Sequence, residues 1–131
     1  MRPGHSIKFK HPGLENEFDL LDGRLQIILL KASEFFKDNG EVMTITALMS
    51  NPEEDKELGR VSKSHSEARA ADVRTIDLSE SFITKFKKWL VKNYYSEGAV
   101  SYHDGKRRIV VDHVGTARHL HIQVSKKWYG P

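Results

Sequence analysis

The chain has 131 residues, 38% of them hydrophobic and 30% charged, which fits one domain with a core and excludes a disordered chain. It has no cysteine, so disulfide frameworks, thiolate metal sites and cysteine nucleophiles are excluded, and seven His remain as candidate ligands and bases. Lys and Arg total 21 against 18 Asp and Glu, a net charge of +3 that is too small to argue for a nucleic-acid partner by itself.

Met1 to Pro12 is polar, the N-terminus is broken by Pro3, Gly4, Pro12 and Gly13, and residues 1–18 are expected to form an irregular arm. This stretch has no apolar core of a secretion signal, and no run in the chain approaches the ~18 apolar residues of a membrane span. The expectation is a single domain over 1–131, made in the cytoplasm and without a membrane segment. From Asp19 to Asp38 the apolar positions Leu20, Leu21, Leu25, Ile28, Leu29, Ala32, Phe35 and Phe36 recur in steps of three and four. That spacing predicts one amphipathic helix, ended by Asn39-Gly40. Glu41 to Met49 is rich in apolar and β-branched residues and predicts a buried strand.

Asn51 to Ser66 is polar, carries Pro52 and Gly59, and predicts a long loop of the kind that often bears function. Ala70 to Arg74 predicts a short strand with one acid, Asp72, among apolar neighbours. Asp77 to Tyr95 predicts a second helix, capped by Ser79, with Phe82, Ile83, Phe86, Trp89, Leu90 and Tyr94 on its inner face. In the last third the period changes. Ala99–Tyr102, Arg108–Asp112 and His119–Val124 predict three short strands in an antiparallel meander, separated by Gly105 and Gly115. The whole order predicts an α+β fold, a small antiparallel sheet with helices packed on it.

The chemistry concentrates in Arg118 to Val124 (RHLHIQV). Strand side chains alternate, so Leu120, Ile122 and Val124 would feed the core while His119, His121 and Gln123 face the other way. By itself this pair also reads as two surface imidazoles on an edge strand. His65 in the loop and Asp72 on its strand enlarge the set. A carboxylate among apolar residues is costly unless it is paired or binds a metal, and two His with one Asp suit zinc with a fourth position open. The alternatives are a solvated His65 and an Asp72 paired with Arg69 or Arg74.

Ser64 to Val73 (SHSEARAADV) resembles the first signature of the zinc D-Ala-D-Ala carboxypeptidase and hedgehog-like, lysostaphin-type metallopeptidase superfamily. His65, Arg69, Ala70 and Asp72 stand at matching positions, and His119-Leu120-His121-Ile122 resembles its second motif, His-x-His on a strand. The resemblance covers about residues 20–125. It implies a hedgehog/DD-peptidase-like fold in which His65, Asp72 and His121 hold zinc. His119 would then accept a proton from the attacking water or stabilise the oxyanion. The implied substrate is a peptide of bacterial peptidoglycan containing a D-residue. Without an export signal, the expected route to the wall is release, as with a phage lysin. The sequence departs from the pattern at three places. Ala68 stands where the motif has Gly, a mild change only if the backbone there is ordinary. Arg118 stands where many members carry an acid that serves as general base. The strand before the loop ends in Thr46-Ala47-Leu48 and lacks the Arg that binds a substrate carboxylate, leaving Arg69 or Arg60 as stand-ins.

Other features carry less. Asp112 and His113 are strand neighbours that point to opposite faces, and they read as strand-end residues. His103-Asp104-Gly105-Lys106 is a turn. Ser64 lacks the Gly-x-Ser-x-Gly elbow of a serine hydrolase. Lys85, Lys87, Lys88 and Lys92, with Lys126-Lys127-Trp128-Tyr129, read as a solvated helix face and a tail rather than a strand-binding surface. Two further readings stay open: a binding or virion-associated module of the same fold with a degenerate site, and a small basic nucleic-acid-binding protein.

Overall fold

The computed structural model describes residues 7–48, 67–101, 104–115 and 117–126. The long loop expected over 51–66, with His65 and Arg60, lies outside the described residues.

The first helix begins later than its apolar spacing suggested. Asp22 accepts a hydrogen bond from the Arg24 amide at 2.8 Å, so helix α2 runs Gly23–Asp38. Leu20 falls before this cap and is exposed, while Leu25, Ile28, Leu29, Ala32 and Phe36 are buried. Asn39-Gly40 ends the helix as expected: Gly40 takes a positive φ of 76°, and the Gly40 and Glu41 amides close on the Lys37 and Phe36 carbonyls.

From Ile7 onward the stretch expected to be an irregular arm forms regular elements. Ile7–Phe9 forms strand β1, and Pro12–Phe18 forms helix α1 with Pro in its first turn, where a missing N–H costs nothing. Ile7, Leu14 and Phe18 join the core. The signal was present, but three strand residues and two helical turns are too short to show a period.

Strand β2 covers Met43–Ala47 and β3 covers Ala70–Arg74. Helix α3 covers Glu80–Tyr94, with the Ser79 hydroxyl accepting from the Phe82 amide at 3.1 Å. A 3-10 turn at Tyr95–Glu97 leads to β4 (Ala99–Val100), and β5 (Arg107–Arg108), β6 (Val110–His113) and β7 (His119–Gln123) follow. The expected three-strand meander is divided. The pair β4–β5 makes its own two-stranded sheet, whereas β6 and β7 join a five-stranded sheet in the order β1-β2-β3-β7-β6. In that sheet β1 is parallel to β2 and the remaining pairs are antiparallel. The chain changes sheets at Ile109, which is buried.

The fold is thus α+β, with α2 and α3 touching each other and packing beside β2 and β6. Met43, Ile45, Ala71, Val73, Leu120 and Ile122 form one core with these helices. Phe36 sits at its centre, edge-on to Phe82 and Phe86 with ring centroids 4.8 Å apart in each case. Among the described residues no helix is long and apolar enough to cross a membrane.

Phe36 has no exposed surface, so replacing it removes its ring contacts to α3 and leaves a cavity. Phe36→Ala is expected to cost about 3–5 kcal/mol, read as a lowered midpoint of urea unfolding with an unchanged slope.

Candidate functional site

Register places the polar residues of β3 and β7 on one face. Asp72 lies opposite His121, Arg74 opposite His119 and Ala70 opposite Gln123. The apolar residues between them turn to the helices, so the same alternation that builds the core collects the polar groups. A register shift between Ile45 and Ala47 brings β2 alongside, and the Thr46 hydroxyl lies 3.4 Å from the Asp72 carbonyl.

Asp72 is only 7% exposed and His121 8%. Asp72 Oδ1 is 2.9 Å from His121 Nδ1, and Asp72 Oδ2 is 3.8 Å from His119 Nε2. His119 is more open and donates from Nδ1 to the Ala117 carbonyl at 3.1 Å. A carbonyl can only accept, so the neutral His119 ring keeps its lone pair on Nε2, on the side of Asp72. On the far side His121 Nε2 meets Gln123 Oε1 at 3.0 Å. The site therefore combines a buried carboxylate and imidazole with an accessible imidazole whose basic nitrogen faces them.

A third imidazole belongs to the cluster. His113 of β6 pairs in register with His119 and stacks on its ring, centroids 4.8 Å apart, and it meets the His121 ring edge-on at 5.7 Å. Desolvation of its packed face lowers the His113 pKa, and the His119 and His121 rings lower it further against the pull of Asp72 and Asp112. The reading of His113 as a strand-end residue missed this. The usable signal was its place in the preceding strand, on the face opposite Asp112, but only register makes it a neighbour of His119.

Arg69 is engaged at both ends of its guanidinium: Nη1 donates to the Val124 carbonyl at 2.8 Å, and Nε and Nη2 donate to Glu67. Arg118 turns toward the helices. It grips both oxygens of Asp112 at 3.0 and 2.7 Å and also pairs with Glu80, while Lys87 of α3 reaches Asp112 at 2.9 Å. The side chain at position 118 is therefore a clamp between β6, β7 and α3 and stands apart from the imidazoles. At Ala68 the backbone is not ordinary: its φ is 59°, in the left-handed region that favours glycine.

Asp72 and His121 are the two members of the expected zinc set that the structure describes, and their donor atoms converge. His65 lies outside the described residues, and among those described no group of three or more His, Asp or Glu side chains forms a complete metal-ligand set. Compared with family models, with curated proteins and with solved structures, the chain gives no match.

Two predictions follow from position and charge. The Arg118 hydrogen bonds hold the Asp112 carboxyl well below the usual carboxylate range; burial opposes them and Lys87 adds to the lowering. A carboxylate whose pKa falls on folding contributes stability above its unfolded value near 3.9, and loses it as pH drops through the folded value. Asp112→Asn should cost about 1 kcal/mol at pH 7, and its gap from wild type should narrow as pH falls below about 4 in denaturation series. Ala68→Gly removes an L side chain from a left-handed backbone. It is expected to be neutral or to stabilise by up to about 1 kcal/mol, whereas Ala32→Gly inside α2 should destabilise by at least about 1 kcal/mol.

Proposed function

We propose that this chain is a zinc-dependent peptidase-like domain of the hedgehog/DD-peptidase type, acting on peptides of bacterial peptidoglycan. One observation carries the reading. Asp72 and His121 are 49 residues apart in sequence, yet they bring an oxygen and a ring nitrogen within 2.9 Å of each other in a buried place with His119 beside them. Hard carboxylate and borderline imidazole donors suit zinc, and His65 is the third ligand that the motif resemblance supplies. The left-handed backbone at Ala68 adds support, because that conformation favours glycine, the residue the motif has at this position.

Zinc held there would supply Lewis acidity, polarising a scissile carbonyl and making water nucleophilic near neutral pH. The chain's own part in the chemistry falls to His119. Its Nε2 lone pair accepts a proton from the attacking water, and the same atom returns it to the leaving amine. Asp72 and His121 hold ligand geometry from adjacent rigid strands. A substrate carboxylate reaching Arg69 would have to replace Glu67.

A second reading, a non-catalytic binding module of the same fold, is favoured by Arg118, whose ion pairs occupy the position of the general base that many peptidases carry.

Protein dialysed without chelator is expected to carry about one zinc per chain by elemental analysis. Asp72→Asn and His121→Ala should lose it. His119→Ala should keep it while release of peptide ends from purified peptidoglycan drops by about 100-fold or more. Zinc retained with no release by the wild type selects the binding module. Zinc content that ignores Asp72 and His121 rejects the site.

A further inference from the structure

Gln123 is 9% exposed and makes two hydrogen bonds whose directions can be deduced. Its Nε2 lies 3.1 Å from the Arg108 carbonyl, which can only accept, so the amide nitrogen must face Arg108 and the amide oxygen must face His121. Gln123 Oε1 can only accept in turn, so the contact at 3.0 Å requires a proton on His121 Nε2. The anchor is rigid. Arg108 belongs to β5, the Gln123 backbone N–H donates to the Ile109 carbonyl at 2.9 Å, and Gly98 packs so closely that a Cβ there would lie 2.7 Å from the Arg108 oxygen.

Asp72 alone would choose the opposite tautomer. A carboxylate only accepts, so a neutral His121 beside it gains most by placing its single proton on Nδ1. The lone pair would then sit on Nε2 and point away from Asp72, useless for a cation shared between the two side chains. With Nε2 committed as a donor to Gln123, Nδ1 is left to meet Asp72 across a shared proton or a shared cation.

We infer that Gln123, oriented by the Arg108 carbonyl, is a positioning residue that keeps the proton of His121 on Nε2 and aims Nδ1 at the place it shares with Asp72. The assignment of the proton stands on geometry alone; its consequence for zinc rests on the function proposed above.

The test uses the ring nitrogens of His121, observed by NMR in 15N-labelled, metal-free full-length protein at pH 8. In the wild type Nε2 is expected to carry a proton. In Gln123→Met the proton should be on Nδ1 alone, and in Gln123→Glu, whose carboxylate still accepts, it should stay on Nε2. A bare Nε2 in the wild type overturns the inference without need of any variant, and so does a protonated Nε2 in Gln123→Met. Zinc affinity, measured by competition with a chromophoric chelator, should fall about 10- to 100-fold in Gln123→Met. Equal zinc affinity in the two proteins overturns the positioning role. The expected spectra in a wild type that binds no zinc uphold the tautomer assignment and reject the zinc reading instead.

Discussion

A carboxylate buried in the middle of a sheet is the constraint around which the rest of this molecule is arranged. Left alone in such a place, Asp72 would be too costly to keep charged. Its partner is the imidazole directly across the β3–β7 pairing, at 2.9 Å. That pair ties register to chemistry. A slip of one residue would send Leu120 and Ile122 to the polar face and His121 into the helices, losing the core and the carboxylate–imidazole contact together. The apolar alternation and the polar alternation therefore enforce the same alignment.

The two faces of the sheet are connected through the strands they share. On the helix side, Arg118 and Lys87 fasten Asp112, which fixes β6 and the start of β7 against α3. Asp112 alternates with His113, so holding one toward the helices turns the other toward His119. On the polar side, the small β4–β5 sheet supplies the Arg108 carbonyl that orients Gln123 and, through it, His121. Supports from three elements thus converge on imidazoles lying on rigid strands, where a group that must meet a substrate or an ion is best placed.

Of the fold, the long amphipathic helices were legible from sequence. Apolar spacing marked both inner faces, and the caps at Ser79 and Asn39-Gly40 act as expected. The first boundary moved because Asp22, not the apolar period, decides where α2 can start. The terminal strand and α1 were hidden because their lengths are below any period. The division of the last third into two sheets was hidden as well, since partner choice depends on where Ile109 can be buried and where Gly98 can approach Arg108.

For the site, local alternation along the chain was enough to place His119, His121 and Gln123 together, and composition alone marked Asp72 as an acid needing a partner. That much is set by nearest-neighbour geometry, which a strand cannot escape. Which residues would face them was decided only on folding. Strand order brought Asp72 to His121 and His113 to His119, while Asp112 drew Arg118 to the opposite side. Those meetings depend on distances across the sheet, and separation along the backbone carries no record of them.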